Sequence, residues 1–469
     1  MIRSATKLTA DLIERAERLK VIGRAGVGVD NVDVAAATRR GIVVANAPES
    51  TVVSAAEHTI GLLVALARNI PQAHAALKQG RWERSRWGGV ELADKTLGVL
   101  GFGRIGRHEG VVADDAHAEP ERFRELGAEH VESPDDVLAA ADFLTLHLPL
   151  TDETRHFVDA AAIARMKPGV RIVNAARGEL IDEAALAEAL RAGRVAGAAL
   201  DVYSAEPYSG ELLELDDVVV TPHLAASTEE AQDRAGLIVA EQVVAALEGG
   251  LVTNAVNIPV VGADDLEVLG PFIPLAARLG RLAVELAGGG HPRRIAIGAS
   301  GGLAAYDTRL LTVAALNGAF QGRVEQAVNW VNAPVIAAER GIEVTEERSA
   351  AARDYTNLVT VAVDDVEVSG TTIGPEHRHF LAGALGFAID LQLSPLMVFF
   401  RYDDVPGVIG TVGSTFGDAG VNIANMAVSR TKEGGKALMA LSIDSQPPPD
   451  LVERMGREGF DDARVIELD

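Results

Sequence analysis

The chain runs to 469 residues, 48% of them apolar, with 67 acidic against 43 basic side chains and a formal net charge of −24. That length is more than one core can organise and suggests about three domains, while the acidic balance disfavours nucleic acid and anionic membranes as partners. Zero cysteines remove disulfide and thiolate chemistry, no metal is called for, and the lack of a leader-like apolar segment or of a run of about 18 apolar residues makes a cytoplasmic protein the expectation.

In chain order, the first 250 residues alternate short apolar strands with amphipathic helices, the α/β pattern. The strand runs are KVIGRAG, GIVVAN, TLGVLG, ADFLTLHLP, VRIVNAA and VVVTPH. Polar or conformationally permissive residues gather at their C-terminal ends, where open parallel sheets bind ligands. A long helix is predicted from the cap Ser227 to the stop at Gly249 and Gly250. Residues 259–395 are richer in Ala and Gly with weaker alternation, which predicts a separate intervening domain. The last 74 residues, 396–469, read strand, helix, strand, strand, helix, strand, a ferredoxin-like βαββαβ unit.

The run TLGVL feeds a G-x-G-x-x-G pattern at Gly101, Gly103 and Gly106, in strand context. Such a turn brings backbone amides and a helix N-terminus up to a dinucleotide pyrophosphate. An acid for the adenosine ribose belongs about 20 residues further on. Here Asp115 arrives nine residues after Gly106, and only four residues, 107–110, precede the next strand, VVA. A parallel crossover normally needs about a dozen residues, so either that strand leaves its place beside TLGVL or the glycine turn distorts. Weakened NADH binding is the expectation in both cases.

Three polar residues at strand ends suit hydride chemistry together. Oxidising an alcohol needs a base for the hydroxyl proton and a cation that fixes a carboxylate and polarises the developing carbonyl. His223 in TPHLAAS, Arg177 in NAARGEL and Glu206 in DVYSAEP each follow a different strand, so one sheet rim would collect all three. His223 is then the base, Arg177 the anchor, and Glu206 the carboxylate that fixes the imidazole tautomer.

The segments GRAGVGVDNVD, NAPESTVVSAAEHTIGLLVALAR, KTLGVLGFGRIGR, NAARGELIDEAALAEAL, ALDVYSAEP and VVVTPHLAASTEEAQDRAG closely resemble the D-isomer-specific 2-hydroxyacid dehydrogenases, over nearly the whole chain. The later regions resemble the long form of that family, with an intervening domain and a C-terminal ACT domain, a small-molecule regulatory module. The resemblance implies NAD-dependent oxidation of 3-phospho-D-glycerate to 3-phosphohydroxypyruvate, the first step of L-serine biosynthesis, by a homotetramer. It places catalysis on Arg177, Glu206 and His223. Cofactor contacts fall on Arg104, Ile105, Asp115, Ala175, Ala176, Arg177, Asp201, His223, Ala225 and Ala226, beside the three glycines. Substrate contacts fall on Arg3, Ser4, Gly26 and Val27. The implied fold is a Rossmann-type doubly wound parallel sheet at 46–228, a truncated flavodoxin-like substrate domain at 1–45 and 229–258, an α+β intervening domain at 259–395 and the ACT domain at 396–469.

L-serine is the implied effector of the ACT domain, with Tyr402, Asp404 and Asn422 as its contacts. Asp404 can accept from the ammonium of a free amino acid, or it can cap the helix beginning near Pro406, and the sequence leaves both open. Against the family pattern the chain begins at MIRSATKL, in what should be the third strand of the substrate domain, and the crossover after Gly106 is short. Two other readings remain: a related D-2-hydroxyacid dehydrogenase for a different acid, and a non-catalytic serine-binding or assembly protein.

Overall fold

A computed structural model describes residues 1–106, 112–115, 123, 125, 128–131, 133–248, 250, 252–259, 263–352, 354–457 and 460–468. The chain divides into two compact units. One comprises residues 1–4, 24–29 and 46–241, the other residues 5–23, 30–45 and 242–469.

The first unit is built on a seven-stranded sheet. Its strands are β3 (Leu97–Leu100), β4 (Val112–Asp114), β5 (Glu129–His130), β6 (Phe143–Leu146), β7 (Val170–Asn174), β8 (Val195–Leu200) and β9 (Val218–Val220); β1 (Val21–Gly23) and β2 (Val43–Ala45) belong to the second unit. The order is β5-β4-β3-β6-β7-β8-β9, and every neighbouring pair is parallel. Parallel strands are covered on both faces, and β6 is buried at all four positions, so near-continuous apolar runs such as FLTL are what this sheet requires. Val137, Leu144, Ile163, Ile172 and Leu186 fill one side, while Leu62, Leu66, Phe143, Val173 and Ala199 fill the other. The strand order reverses between β3 and β6, the switch point at which Rossmann-type sheets open a ligand crevice.

The strand β4 keeps its place beside β3, in the parallel register Gly98↔Val112 to Leu100↔Asp114. The alternative in which the VVA run leaves the sheet is therefore not the one adopted. The shortened connection itself, residues 107–110, lies outside the described residues. Phe102 stacks on Phe123 at 4.5 Å between ring centroids, and with Val99 and Ala128 they make a small core beside the glycine turn.

In the second unit β1 and β2 form a parallel pair. A six-stranded sheet follows from β10 (Arg294–Gly301), β11 (Glu343–Ser349), β12 (Asn357–Val363), β13 (Val366–Ile373), β14 (Arg378–Ala384) and β15 (Phe387–Gln392), in the order β11-β10-β12-β13-β14-β15. It is antiparallel except for the β10–β11 pair. The last strands, β16 (Leu396–Asp403), β17 (Ile423–Arg430), β18 (Lys436–Ile443) and β19 (Phe460–Glu467), take the order β17-β18-β16-β19 with helices Val408–Asp418 and Pro449–Arg457 between them. This is the predicted ferredoxin-like βαββαβ unit.

Strand parity divides that last sheet. Val398, Phe400, Tyr402, Met439 and Leu441 face Val412, Phe416, Leu451 and Met455 of its own helices. Met397, Phe399, Leu438 and Ala440 join the core that contains the six-stranded sheet and helix Phe272–Leu286. Among the described residues no helix is long and apolar enough to cross a membrane.

Candidate active site

The glycine turn sits at the end of β3. Gly101 has φ 92°, and a β-carbon there would lie 2.7 Å from the His147 carbonyl oxygen at the end of β6. A β-carbon on Gly106 would come within 2.2 Å of the Gly101 carbonyl oxygen, whereas Gly103 is exposed and faces open space. Two glycines thus close the turn and the middle one leaves an open floor, the cradle that a pyrophosphate needs. Arg104 is exposed and Ile105 half-buried in the same turn. Asp115 directly follows β4, whose Asp114 lies opposite Leu100, so the acid stands at the strand end beside the glycine turn.

The three strands β7, β8 and β9 are neighbours, and the segments leaving their C-terminal ends carry Arg177, Glu206 and His223. Buried Asn174, the last residue of β7, holds the first segment: its amide donates to the Arg177 carbonyl at 2.8 Å and accepts from the Ala176 N–H at 3.0 Å. Arg177, half-buried, donates to the Ala176 carbonyl at 2.8 Å, and Ala175 is half-buried beside it. Gly178 then abuts the β8 segment at Tyr203 with no room for a side chain.

Asp201 organises the third segment. Its fully buried carboxylate accepts from the Thr221 hydroxyl at 2.6 Å, the Leu224 N–H at 2.7 Å and the Ala225 N–H at 2.9 Å. Its main chain takes part as well, with Asp201 N–H donating to the Asn174 carbonyl and its own carbonyl accepting from His223 N–H, both at 2.9 Å. His223 has φ 57°, a left-handed conformation uncommon outside glycine, and these bonds on both sides hold it there. Ala225 is buried, and Ala226 exposed, just beyond it.

Glu206 approaches His223 Nδ1 with both oxygens, at 2.9 and 3.0 Å. Both side chains are about half exposed, so the pair adds little to stability and its value is orientation. An ionised carboxylate can only accept, so Nδ1 carries the proton and Nε2 presents a lone pair. Tyr203 braces the same region: its hydroxyl lies 3.0 Å from both the Leu200 and Thr221 carbonyls, and its ring stacks on Tyr208 at 4.6 Å. Burial, helped by the Asp201 carboxylate, pushes its ionisation up to about 12, so it stays a neutral donor.

Of the positions implied for substrate, Arg3 and Ser4 are exposed, Gly26 is buried and Val27 half-buried. Ile2 makes a parallel bridge to Arg24, which brings Arg3 next to the Gly26 segment. That segment is pinned by Ala47 N–H on the Gly26 carbonyl at 2.9 Å and Asn46 Nδ2 on the Val27 carbonyl at 2.6 Å.

The three positions implied for serine differ in character. Tyr402 is 3% exposed within the sheet's inner core, with Phe460 5.6 Å away, and burial followed by the Asp404 charge raises its ionisation. Asp404 accepts from Arg430 Nη1 at 3.0 Å. It does not cap the helix, which begins after Gly407 with no side-chain cap. Asn422 donates to Asp444 at 2.6 Å.

Sequence reading passed over Asn174, Tyr203, Thr221 and His58. Asn174 directly closes the apolar run VRIV, and Thr221 the run VVV, and a polar residue at the end of a buried strand was the available signal.

Residues 60–225 match the NAD-binding domain of the D-isomer specific 2-hydroxyacid dehydrogenases, residues 268–381 the D-3-phosphoglycerate dehydrogenase intervening domain, and residues 396–460 the ACT domain. Among solved structures, 54% of this chain is similar to 79% of D-mandelate dehydrogenase from Rhodotorula graminis, with a TM-score of 0.51 at 28% identity. The sheet and the matched NAD-binding domain thus define an NAD-binding 2-hydroxyacid dehydrogenase, an oxidoreductase. Across its whole length the chain is 43% identical to D-3-phosphoglycerate dehydrogenase of Archaeoglobus fulgidus, covering 92% of that protein, and 42% identical to that of Methanocaldococcus jannaschii, covering 91%. The chain belongs to the D-3-phosphoglycerate dehydrogenase family.

Proposed function

We propose that this chain oxidises 3-phospho-D-glycerate to 3-phosphohydroxypyruvate with NAD, the first step of L-serine biosynthesis. The observation that carries the reading is the His223 Nδ1–Glu206 contact at 2.9 Å, on a strand end next to the segment of Arg177. With Nδ1–H committed to Glu206, His223 Nε2 takes the proton of the substrate's 2-hydroxyl. Arg177 pairs with the substrate carboxylate and stabilises negative charge on the oxygen as the carbonyl forms. Arg3, Ser4 and the Gly26–Val27 backbone hold the substrate. NAD supplies the acceptor for the hydride that leaves C2, so the alcohol loses two electrons and two hydrogens in balance.

Gly101, Gly103, Arg104, Ile105 and Gly106 would hold the pyrophosphate, Asp115 the adenosine ribose, and Ala175, Ala176, Asp201, Ala225 and Ala226 the nicotinamide end. The acid at Asp115 accepts from ribose hydroxyls and repels a 2′-phosphate, so NAD is used in preference to NADP. The connection at 107–110 is shorter in sequence than the family pattern, and weaker cofactor binding is the consequence we infer from that length. L-serine binds the ACT domain through Asp404 and Asn422, at the edge near Tyr402, in an assembly of four chains. Purified enzyme given 3-phosphoglycerate and either cofactor tests the reading. NADH formation well above NADPH formation supports it, and comparable rates with both, or none with either, reject it.

A further inference from the structure

We propose that His58 is a positioning residue for His223, acting as an Nε2–H donor to the Asp201–Thr221 pair beneath it. The proposal rests on the reading of His223 as the base. His58 lies on helix Val52–Ala67, which is packed on the sheet through Leu62, Leu63 and Leu66. Its Nε2 is 3.3 Å from Asp201 Oδ1 and 3.2 Å from Thr221 Oγ1.

The protons in this cluster can be assigned by elimination. The Thr221 hydroxyl has one proton and gives it to Asp201 Oδ1 at 2.6 Å, so towards His58 its oxygen can only accept. An ionised Asp201 also can only accept. His58 Nε2 therefore faces two acceptors and must carry a hydrogen, which fixes the Nε2–H form whether or not Nδ1 is also protonated.

The consequence reaches His223 through the chain. Asp201 clamps the segment on both sides of His223, accepting from the Thr221 hydroxyl before it and from the Leu224 and Ala225 N–H groups after it, and this clamp keeps His223 left-handed with Nδ1 on Glu206. His58 supplies the donor that comes from outside this segment and ties the buried carboxylate to a rigid helix. Losing it leaves Asp201, which itself has no exposed surface, under-compensated, a cost that the loop relieves by shifting.

Three variants of the full chain separate positioning from packing. Glutamine places an amide N–H the same number of bonds from the main chain as His58 Nε2, whereas asparagine falls short and leucine has no donor. His58→Leu and His58→Asn should lower kcat about tenfold while KM for 3-phosphoglycerate, set by Arg177 and the Gly26 segment, moves less than about twofold, and His58→Gln should recover most of the rate. Melting curves confirm that each variant is folded. Equal losses in the glutamine and leucine variants, or a kcat for His58→Leu within about twofold of wild type, overturn the proposal. A readout independent of turnover comes from nitrogen-labelled histidine spectra, with the His58 signal assigned by its loss in His58→Gln. A ring protonated at Nε2 supports the assignment even in an inactive enzyme, and an Nδ1–H neutral ring overturns it.

Discussion

Gly178 meets Tyr203 so closely that a β-carbon on the glycine would stand 1.9 Å from the Tyr203 carbonyl carbon and 2.2 Å from its oxygen. Arg177 precedes the one residue and Glu206 follows the other by three positions, so this contact sets the spacing between Arg177 and Glu206, the proposed anchor and orienting carboxylate. Gly178→Ala has to push the two segments apart. It should cost about 1–3 kcal/mol in stability, as overpacking does, and should worsen kcat and KM together. Denaturant unfolding and initial rates check both, and an alanine variant with wild-type values on each would show that the segments are not held at this contact.

Tyr203→Phe removes a buried hydroxyl within reach of two carbonyls and should destabilise the enzyme by about 1 kcal/mol. The pH dependence has a definite sign. The folded state raises this group's ionisation from 10 to about 12, so its contribution is complete below pH 10 and is lost as pH rises through 12. The stability difference between wild type and variant should be flat between about pH 7 and 9 and shrink only above about pH 10. A difference that already changes at neutral pH would contradict the bracing role.

Asp404 pairs with a cation, Arg430, at 3.0 Å, and on the proposed reading the ammonium of L-serine takes the same carboxylate. L-serine should bind the full chain with measurable heat, and Asp404→Ala should abolish that heat by leaving the ammonium without its counter-ion. Unchanged calorimetry in the variant would remove Asp404 from the effector site.

The strands and the βαββαβ unit were legible because their patterns are local: apolar runs of a few residues, punctuated by Gly, Asn and Pro. The placement of His223, Arg177 and Glu206 at neighbouring strand ends was legible for a related reason, since each follows an apolar strand run and a parallel sheet brings such ends together. What stayed hidden depends on contacts between distant positions. Nothing in the run AEHTIG announces that His58 meets Asp201 and Thr221, and nothing near Gly178 announces Tyr203. Tyr402 is a different case. It shares strand parity with Val398 and Phe400, so its burial could be read from the alternation. Of the two alternatives for the short connection, the one in which the VVA run leaves the sheet is not adopted, because β4 pairs by main-chain register with β3, which connection length does not dictate.

The same short connection yields a prediction. About nine helix-forming residues inserted after His108 would bring the connection to the usual crossover length, at which a helix N-terminus presents its amides and a partial charge of roughly 0.5. NADH should then bind more tightly than it does to the chain as it stands, in a titration followed by the fluorescence of Trp82 and Trp87. Equal, tight and saturable binding by both would show that the longer helix is not needed.

On the proposed reading His223, held by Glu206, is the base for oxidation of a substrate anchored by Arg177. Steady-state NADH formation from 3-phosphoglycerate by wild type, His223→Ala and Arg177→Ala tests it most directly. His223→Ala should lower kcat at least about a hundredfold with little change in KM, since the base acts in the transition state, whereas Arg177→Ala should damage both constants. A His223→Ala enzyme that keeps its kcat would contradict the account.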